Sequence, residues 1–496
     1  MTPQERWLVD RAAREPGRTA IIDSSGRYTY ADLSAASAGI AGGLLKGETD
    51  LAEARVAFLE PPGFRYAAAQ WGIWRAGGIA VPLAPSHPAA ELGYVLEDAG
   101  ATIVIAHPSL RSRLEPLAQT QSLRLVTTVE PADAILPAID PSRRAMMLYT
   151  SGTTGKPKGV ITTHANLRAQ ITTLVDAWEW RADDRILHVL PLHHVHGIVN
   201  ALSCALWAGA CCEFVREFDP APVWDRLASG EITLFMAVPT IYGRLIAAWD
   251  AADPETRRRW SAGTAPLRLM VSGSAALPVG TLNRWRAITG HTLLERYGMT
   301  EIGMALSNPL EGERRAGTVG RPLPGVAVRL TDVLGVVEPG TAGQIEVRGD
   351  QVFSEYWNRP EATVGAFRDG WFMTGDVGVV EGGYYRILGR ESVDIIKSAG
   401  YKISALEIEE ALREHPDIRD CAVVGLADDD LGERVAVAIV AGDGADLAAA
   451  HLRAWAKERL APYKIPRTIV FVAALPRNAM GKVTKADVRA LIAARA

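Results

Sequence analysis

Short apolar runs alternate with stretches whose apolar residues fall at helical spacing along much of this chain. Arg55-Val56-Ala57-Phe58-Leu59 reads as a strand, Tyr66–Ala76 as an amphipathic helix, and Gly77-Gly78-Ile79-Ala80-Val81-Pro82-Leu83 as the next strand. Ala101-Thr102-Ile103-Val104-Ile105-Ala106 supplies another. A strand–helix–strand rhythm buries each strand on both faces, so it predicts parallel sheets covered by helices. Past residue 310 the pattern changes to short strands and glycine-rich turns, as in Ala316-Gly317-Thr318-Val319-Gly320, which predicts a β-rich subdomain. It changes again after Gly389-Arg390. There Leu406–Glu414 and Leu447–Leu460 read as helices, and Cys421–Leu426 and Val435–Val440 as strands. The expected architecture is α/β. A large N-terminal domain over 1–389 carries parallel βαβ-type sheets and the β-rich subdomain, and a small α+β domain follows over 390–496.

One segment breaks the apolar rhythm completely. Thr150-Ser151-Gly152-Thr153-Thr154-Gly155-Lys156-Pro157-Lys158-Gly159 contains only hydroxyls, glycines, lysines and one proline, and it follows the strand-like Met146-Met147-Leu148-Tyr149. Such a loop cannot build a core, but it can wrap a polyphosphate. Glycines let the backbone approach, bare N–H groups and hydroxyls donate, and lysines neutralise charge. It is not the Walker pattern, which requires Ser or Thr after Gly-Lys; here Pro157 follows Gly155-Lys156.

Bulk properties narrow the class. At 496 residues the chain is long for one core. A formal net charge of -4 with 22% charged residues argues against a dedicated nucleic-acid binder, which carries a basic patch. Cys204, Cys211, Cys212 and Cys421 fit no zinc spacing and sit among apolar residues, so buried free thiols in a reducing compartment are expected. The first residues, Met1-Thr2-Pro3-Gln4-Glu5-Arg6, contain no apolar signal core, and no stretch approaches the ~20 apolar residues of a membrane span. A cytoplasmic protein is the expectation.

The polar loop resembles the phosphate loop of adenylate-forming enzymes, the superfamily of acyl-CoA synthetases, luciferases and peptide-synthetase adenylation domains. Three further matches follow in that family's order. They are Glu295-Arg296-Tyr297-Gly298-Met299-Thr300-Glu301, Thr374-Gly375-Asp376 with Leu388-Gly389-Arg390, and Pro476-Arg477-Asn478-Ala479-Met480-Gly481-Lys482. The resemblance implies a two-step reaction. A carboxylate attacks the α-phosphorus of ATP to give an acyl-adenylate and pyrophosphate, and the thiol of CoA then displaces AMP. It also implies roles. Thr150, Ser151, Gly152, Thr153, Thr154, Gly155 and Lys158 hold phosphates, and Glu301 holds Mg²⁺. Tyr297 and Ser274 face the adenosine, Asp376 and Arg390 the ribose, and Thr300 the α-phosphate. Lys482 stabilises the charge of the first step, and its exposed amine matches substrates of protein acetyltransferases. The C-terminal domain acts as a rotating lid. Its hinge falls at Val393 or Asp394, and Ser398, Gly400 and Tyr401 line the thiol tunnel.

The acid is read from three segments. Pro191-Leu192-His193-His194-Val195-His196-Gly197 falls where the family lines its acyl pocket, with His194 as the gate to the thiol tunnel. Three histidines suit a polar acid better than a fatty chain, because an unpaired buried polar group costs about 1–3 kcal/mol. Val271-Ser272-Gly273-Ser274 adds hydroxyls. A helix starting at Pro239 would bury Ile241, Leu245, Ala248 and Trp249 and lean Arg244 inward. Arg244, with His196 and Ser274, is then expected to hold the second carboxylate of a dicarboxylic acid. Together these segments resemble malonyl-CoA synthetases, with malonate or methylmalonate as substrate. Three alternatives stay open: a synthetase for another short or aromatic acid, a stand-alone adenylation domain, and a catalytically dead nucleotide-binding regulator.

Overall fold

The computed structural model describes residues 14–127, 132, 134–150, 156–398, 401–442, 444–445, 447–477 and 483–495. Among them the strands form four sheets, of nine, seven, six and five strands. The centre of the largest sheet is parallel. Thr19–Asp23, Cys211–Phe214, Arg185–His188, Leu234–Ala237, Leu269–Ser272 and Leu294–Met299 lie side by side in that order. In the seven-stranded sheet Arg55–Leu59, Ile79–Pro82, Ile103–Ala106 and Arg124–Val126 are parallel. Helix Phe64–Arg75 makes the crossover between the first two, burying Trp71 and Ile73, as the alternation of the sequence predicts.

Arg144–Thr150 joins that sheet in parallel, and Lys158–Thr163 folds back antiparallel, pairing Thr150 with Lys158. The strands on either side of the polar segment are therefore the two arms of a hairpin. Ser151 to Gly155 lie outside the described residues. The returning strand runs into helix His164–Ala177, whose start is fixed by a reciprocal cap. Asn166 N–H donates to the Thr163 hydroxyl, and Thr163 N–H donates to the Asn166 side chain.

Helix Pro239–Ala251 forms where expected, but its inner face differs. Trp224, Trp260 and Trp285 stack at 5.1 and 5.6 Å, and Tyr242 meets Trp285 edge-on at 4.9 Å. Tyr242 also donates to the Val271 carbonyl at 2.9 Å. These contacts turn Tyr242 and Leu245 fully inward, leave Ile241, Ala248 and Trp249 half-buried, and send Arg244 outward. Arg244 is exposed, its guanidinium 4.6 Å above the Phe218 ring, so the inward lean expected of it is wrong.

Strand Tyr384–Arg390 closes the six-stranded β-rich sheet, and Ile395–Ser398 opens the five-stranded one. The latter is packed by helices Ala405–Arg413, Ala449–Lys457 and Lys485–Ala493. All four cysteines are buried free thiols. Among the described residues no helix is long and apolar enough to cross a membrane.

Candidate active site

The nucleotide side is built where strand Leu294–Met299 faces strands Trp371–Glu381 and Tyr384–Arg390. Tyr297 donates its hydroxyl to Asp376 Oδ2 at 2.6 Å, and Arg390 Nε donates to Asp376 Oδ1 at 3.0 Å. Gly375 takes φ +74°, a conformation natural to glycine, at an irregularity within strand Trp371–Glu381 that presents Asp376. One carboxylate clasped by a phenol and a guanidinium is a rigid acceptor for a pair of sugar hydroxyls. Glu301 lies close by and is buried. Its Oε1 accepts from Tyr356 Oη at 2.9 Å, and the Tyr356 ring carries Lys158 Nζ at 4.9 Å. Burial pushes the Glu301 carboxyl up, while the Tyr356 hydrogen bond and the charges of Arg390 and Lys158 pull it down. Thr300 sits half-buried between Tyr297 and Glu301. The expectations for Tyr297, Glu301, Asp376, Arg390, Lys158 and Thr150 thus converge on one place.

The acid side lies at the carboxyl ends of the parallel strands, where open α/β sheets bind ligands. Ala237, Ser272 and Glu295 stand in register there, and His188 pairs with Met236 one residue before Ala237. His196 begins a buried π-helix, His196–Ser203, and its Nδ1 lies 3.2 Å from Ser274 Oγ. Ser274 takes φ +69°, a strained value for a residue with a Cβ, which aims its hydroxyl at the histidine. His196 is held neutral, first by burial and then by the Arg296 charge. His193 and His194 pack ring to ring at 4.2 Å beside it, and burial pulls His193 down to about 3.

Arg296 is the group that the sequence reading passed over. The residue is 3% exposed, and neither Nε nor Nη2 of its guanidinium has a partner among the described residues. It packs on Gly273 so closely that a Cβ there would come 2.4 Å from Cζ. Neighbouring Glu295 points to the opposite face and forms no ion pair with it, so its charge offsets that of Arg296 only from a distance. Glu295 instead accepts from Leu277 N–H at 3.0 Å. Burial pulls the Arg296 guanidinium down to about 9, still protonated at neutral pH. A buried cation without a counter-ion is costly unless a ligand supplies one. Ser272 Oγ, His188 Nδ1 and both amide atoms of Asn200 also lack partners among the described residues. The signal was present: two charged residues inside the otherwise apolar and aromatic run Leu293-Leu294-Glu295-Arg296-Tyr297.

Glu295 makes a separate expectation possible. Burial raises its carboxyl to about 8. Between the unfolded value near 4.5 and about 8 the folded state keeps a proton that the unfolded state releases. Stability from this group is therefore full at low pH and is lost as pH rises through about 8. Glu295→Gln keeps the Leu277 bond without the ionisation. Thermal melts should show the variant near wild type at pH ~5 and more stable at pH ~9, by on the order of a few kcal/mol. Parallel curves at both pH values would contradict the assignment.

The remaining candidates divide. Ser398 is buried, while Tyr401 is exposed and stacks on Tyr463 at 4.4 Å. Gly400 and Lys482 lie outside the described residues. Lys485, three residues on, bonds Glu409 and the Val423 carbonyl and lies 3.6 Å from Asp394, one of the two hinge candidates. Asp394 accepts from Arg390 N–H at 3.1 Å, so the ribose-side arginine and the last helix meet at one carboxylate.

Known proteins share both the sequence and the arrangement. A human mitochondrial malonate–CoA ligase is 46% identical, with 96% of this chain and 90% of that protein covered. The malonate–CoA ligase of Arabidopsis thaliana is 40% identical over 96% of this chain and 87% of its own length. The ATP-bound crystal structure of MatB from Rhodopseudomonas palustris superposes with a TM-score of 0.89 at 36% identity, covering 98% of both chains. Residues 8–357 match the AMP-binding enzyme family, and 407–482 match the AMP-binding enzyme C-terminal domain. The two matched regions take in both the Tyr297–Asp376 side's strand and the lysine-bearing tail, and the chain belongs to the AMP-binding enzyme family.

Proposed function

We propose that this chain is an ATP-dependent malonate–CoA ligase that also takes methylmalonate, forming an acyl-adenylate and then the CoA thioester. The observation that carries the acid assignment is the buried, unpaired Arg296. A dicarboxylate that offers one carboxylate to ATP must place the other somewhere, and a guanidinium supplies charge and forked donors together. His196, neutral and fixed by Ser274, is the second donor at that end. The names of the relatives support the same acid.

On the nucleotide side, Asp376 orients the ribose with Tyr297 and Arg390 holding it in place. Lys158 neutralises phosphate charge, and Lys482 is the cation that bridges the attacking carboxylate and the α-phosphate. Among the described residues no cluster of three His, Cys, Asp or Glu could hold a metal alone. A single buried Glu301 carboxylate beside Lys158 fits Mg²⁺, which takes one or two carboxylates and fills its shell with phosphate oxygens and water. Bound there, the ion would supply neutralisation of phosphate charge. The domain boundary at 389/390, a cytoplasmic location and acetylation of Lys482 belong to the same proposal; the last would remove the lysine's charge.

A pyrophosphate-release panel of malonate, methylmalonate, acetate, butyrate and benzoate tests the reading, run with and without CoA. Malonate and methylmalonate should lead, with CoA consumed in step. Preference for a monocarboxylic acid would remove the dicarboxylate assignment. Pyrophosphate without thioester would favour a stand-alone adenylation domain, and no release with any acid a dead regulator.

A further inference from the structure

Both flanks of the phosphate hairpin are tied to a carboxylate that no motif contains. Asp98 lies near the end of helix Ala89–Ala99, and its side chain is 11% exposed. Its Oδ2 accepts from Tyr149 Oη at 2.9 Å; Tyr149 is the residue immediately before Thr150. Tyr94, one turn back on the same helix, lies 3.4 Å from Asp98 Oδ1 and donates its proton to the Pro157 carbonyl at 2.6 Å, on the outgoing flank. Lys156 Nζ sits 5.5 Å from the Tyr94 ring centre. Arg359 Nη2 donates to Asp98 Oδ1 at 2.8 Å, balancing the charge. Arg359 follows strand Glu355–Tyr356, whose Tyr356 holds Glu301.

We propose that Asp98 is a positioning residue for ATP: it holds the incoming end of the phosphate hairpin through Tyr149, while Tyr94 of the same helix holds the outgoing end at the Pro157 carbonyl, and together they set where the two ends stand relative to Glu301. The inference rests on the ATP-using reading above. The residues between the flanks are hydroxylic or glycine, with no large apolar side chain to anchor them. Their placement therefore depends on what grips the flanks. Two phenol hydroxyls, one helix and one carboxylate grip both flanks, and Arg359 links that carboxylate to the strand behind Glu301. Displacing a positioned group by about 1 Å can cost roughly a hundredfold in rate. The β- and γ-phosphates are present only in the first half-reaction. Thioester formation from a finished adenylate does not need them.

The test uses full-length Asp98→Asn and Tyr94→Phe. Adenylation is followed by malonate-dependent pyrophosphate release, and thiolation by thioester formation from synthetic acyl-adenylate and CoA. Asp98→Asn should lower kcat/KM for ATP about 10- to 100-fold, mainly through KM, as expected for loss of charge-assisted hydrogen bonds. Tyr94→Phe should lower it several-fold. In both variants the KM for malonate and the rate from supplied adenylate should stay within about twofold of wild type. Unchanged ATP kinetics, or equal loss in both half-reactions, would overturn the positioning role. Should Asp98→Asn fail to fold, Tyr94→Phe, which loses one hydroxyl, decides the matter by the same criteria. Wild-type enzyme that releases no pyrophosphate with malonate would overturn the proposed function instead, which separates the two failures.

Discussion

Arg296→Met should cut kcat/KM for malonate by about a hundred- to a few-thousand-fold while leaving acetate unchanged or improved. The size follows from removing one partner of a buried ion pair, a cost of about 3–5 kcal/mol. Methionine fills much of the same volume against Gly273, so the change removes charge more than packing. Selectivity is the decisive readout. Acetate has no distal charge to lose, so an equal fall for malonate and acetate would make Arg296 a scaffold residue. Arg244→Ala is the matched control. That side chain is exposed over Phe218, and its loss should change neither acid by more than about twofold. Should Arg244→Ala and not Arg296→Met abolish the preference for malonate, the assignment of the acid end is wrong.

Lys482→Ala should separate the half-reactions. Adenylation should fall by about two to three orders of magnitude, the usual effect of deleting a group aimed at charge developing in a transition state. Thioester formation from supplied acyl-adenylate should continue near the wild-type rate, because the attacking thiol meets an already activated carbonyl. Wild-type and variant rates on the adenylate, measured by rapid quench, check this directly. Equal loss in both steps would mean that the lysine supports the domain rather than the chemistry. The hairpin test of Asp98 shares this logic from the other side of the triphosphate, so the two variants should resemble each other in thiolation and differ in which adenylation constant moves.

The parts legible in the sequence are those whose chemistry is local. The phosphate segment, Glu301 and Asp376 each sit in a short run that resembles a motif of the adenylate-forming enzymes, and alternation of apolar residues located the parallel strands. Arg296 was passed over because the acid end is assembled from segments far apart in the chain: only the fold brings the charge of Arg296 and the ring of His188 to His196. Helix Pro239–Ala251 shows the same limit. Its apolar residues cover more than one face, and the stack of Trp224, Trp260 and Trp285 decides that Tyr242 points inward. A stripe drawn on a wheel cannot choose between two such rotations, and Arg244 was placed on the wrong side as a result. Asp98 was invisible for a related reason, since Tyr94 and Pro157 are sixty-three positions apart yet share a hydrogen bond.

The empty-handed guanidinium at Arg296 also bears on how this protein could be evolved. Selection for heat resistance rewards any change that discharges a buried ion, and an aliphatic residue at 296 is such a change. Survivors of a temperature screen run without the acid would be enriched for enzymes that no longer tell dicarboxylates from monocarboxylates. Robustness and discrimination compete for one codon. Breeding a hardier catalyst therefore calls for malonate in the selection medium, or for improvements drawn from elsewhere, such as the turn between strands Ala327–Asp332 and Gly335–Val336, where Val333 and Leu334 are 99% and 93% exposed.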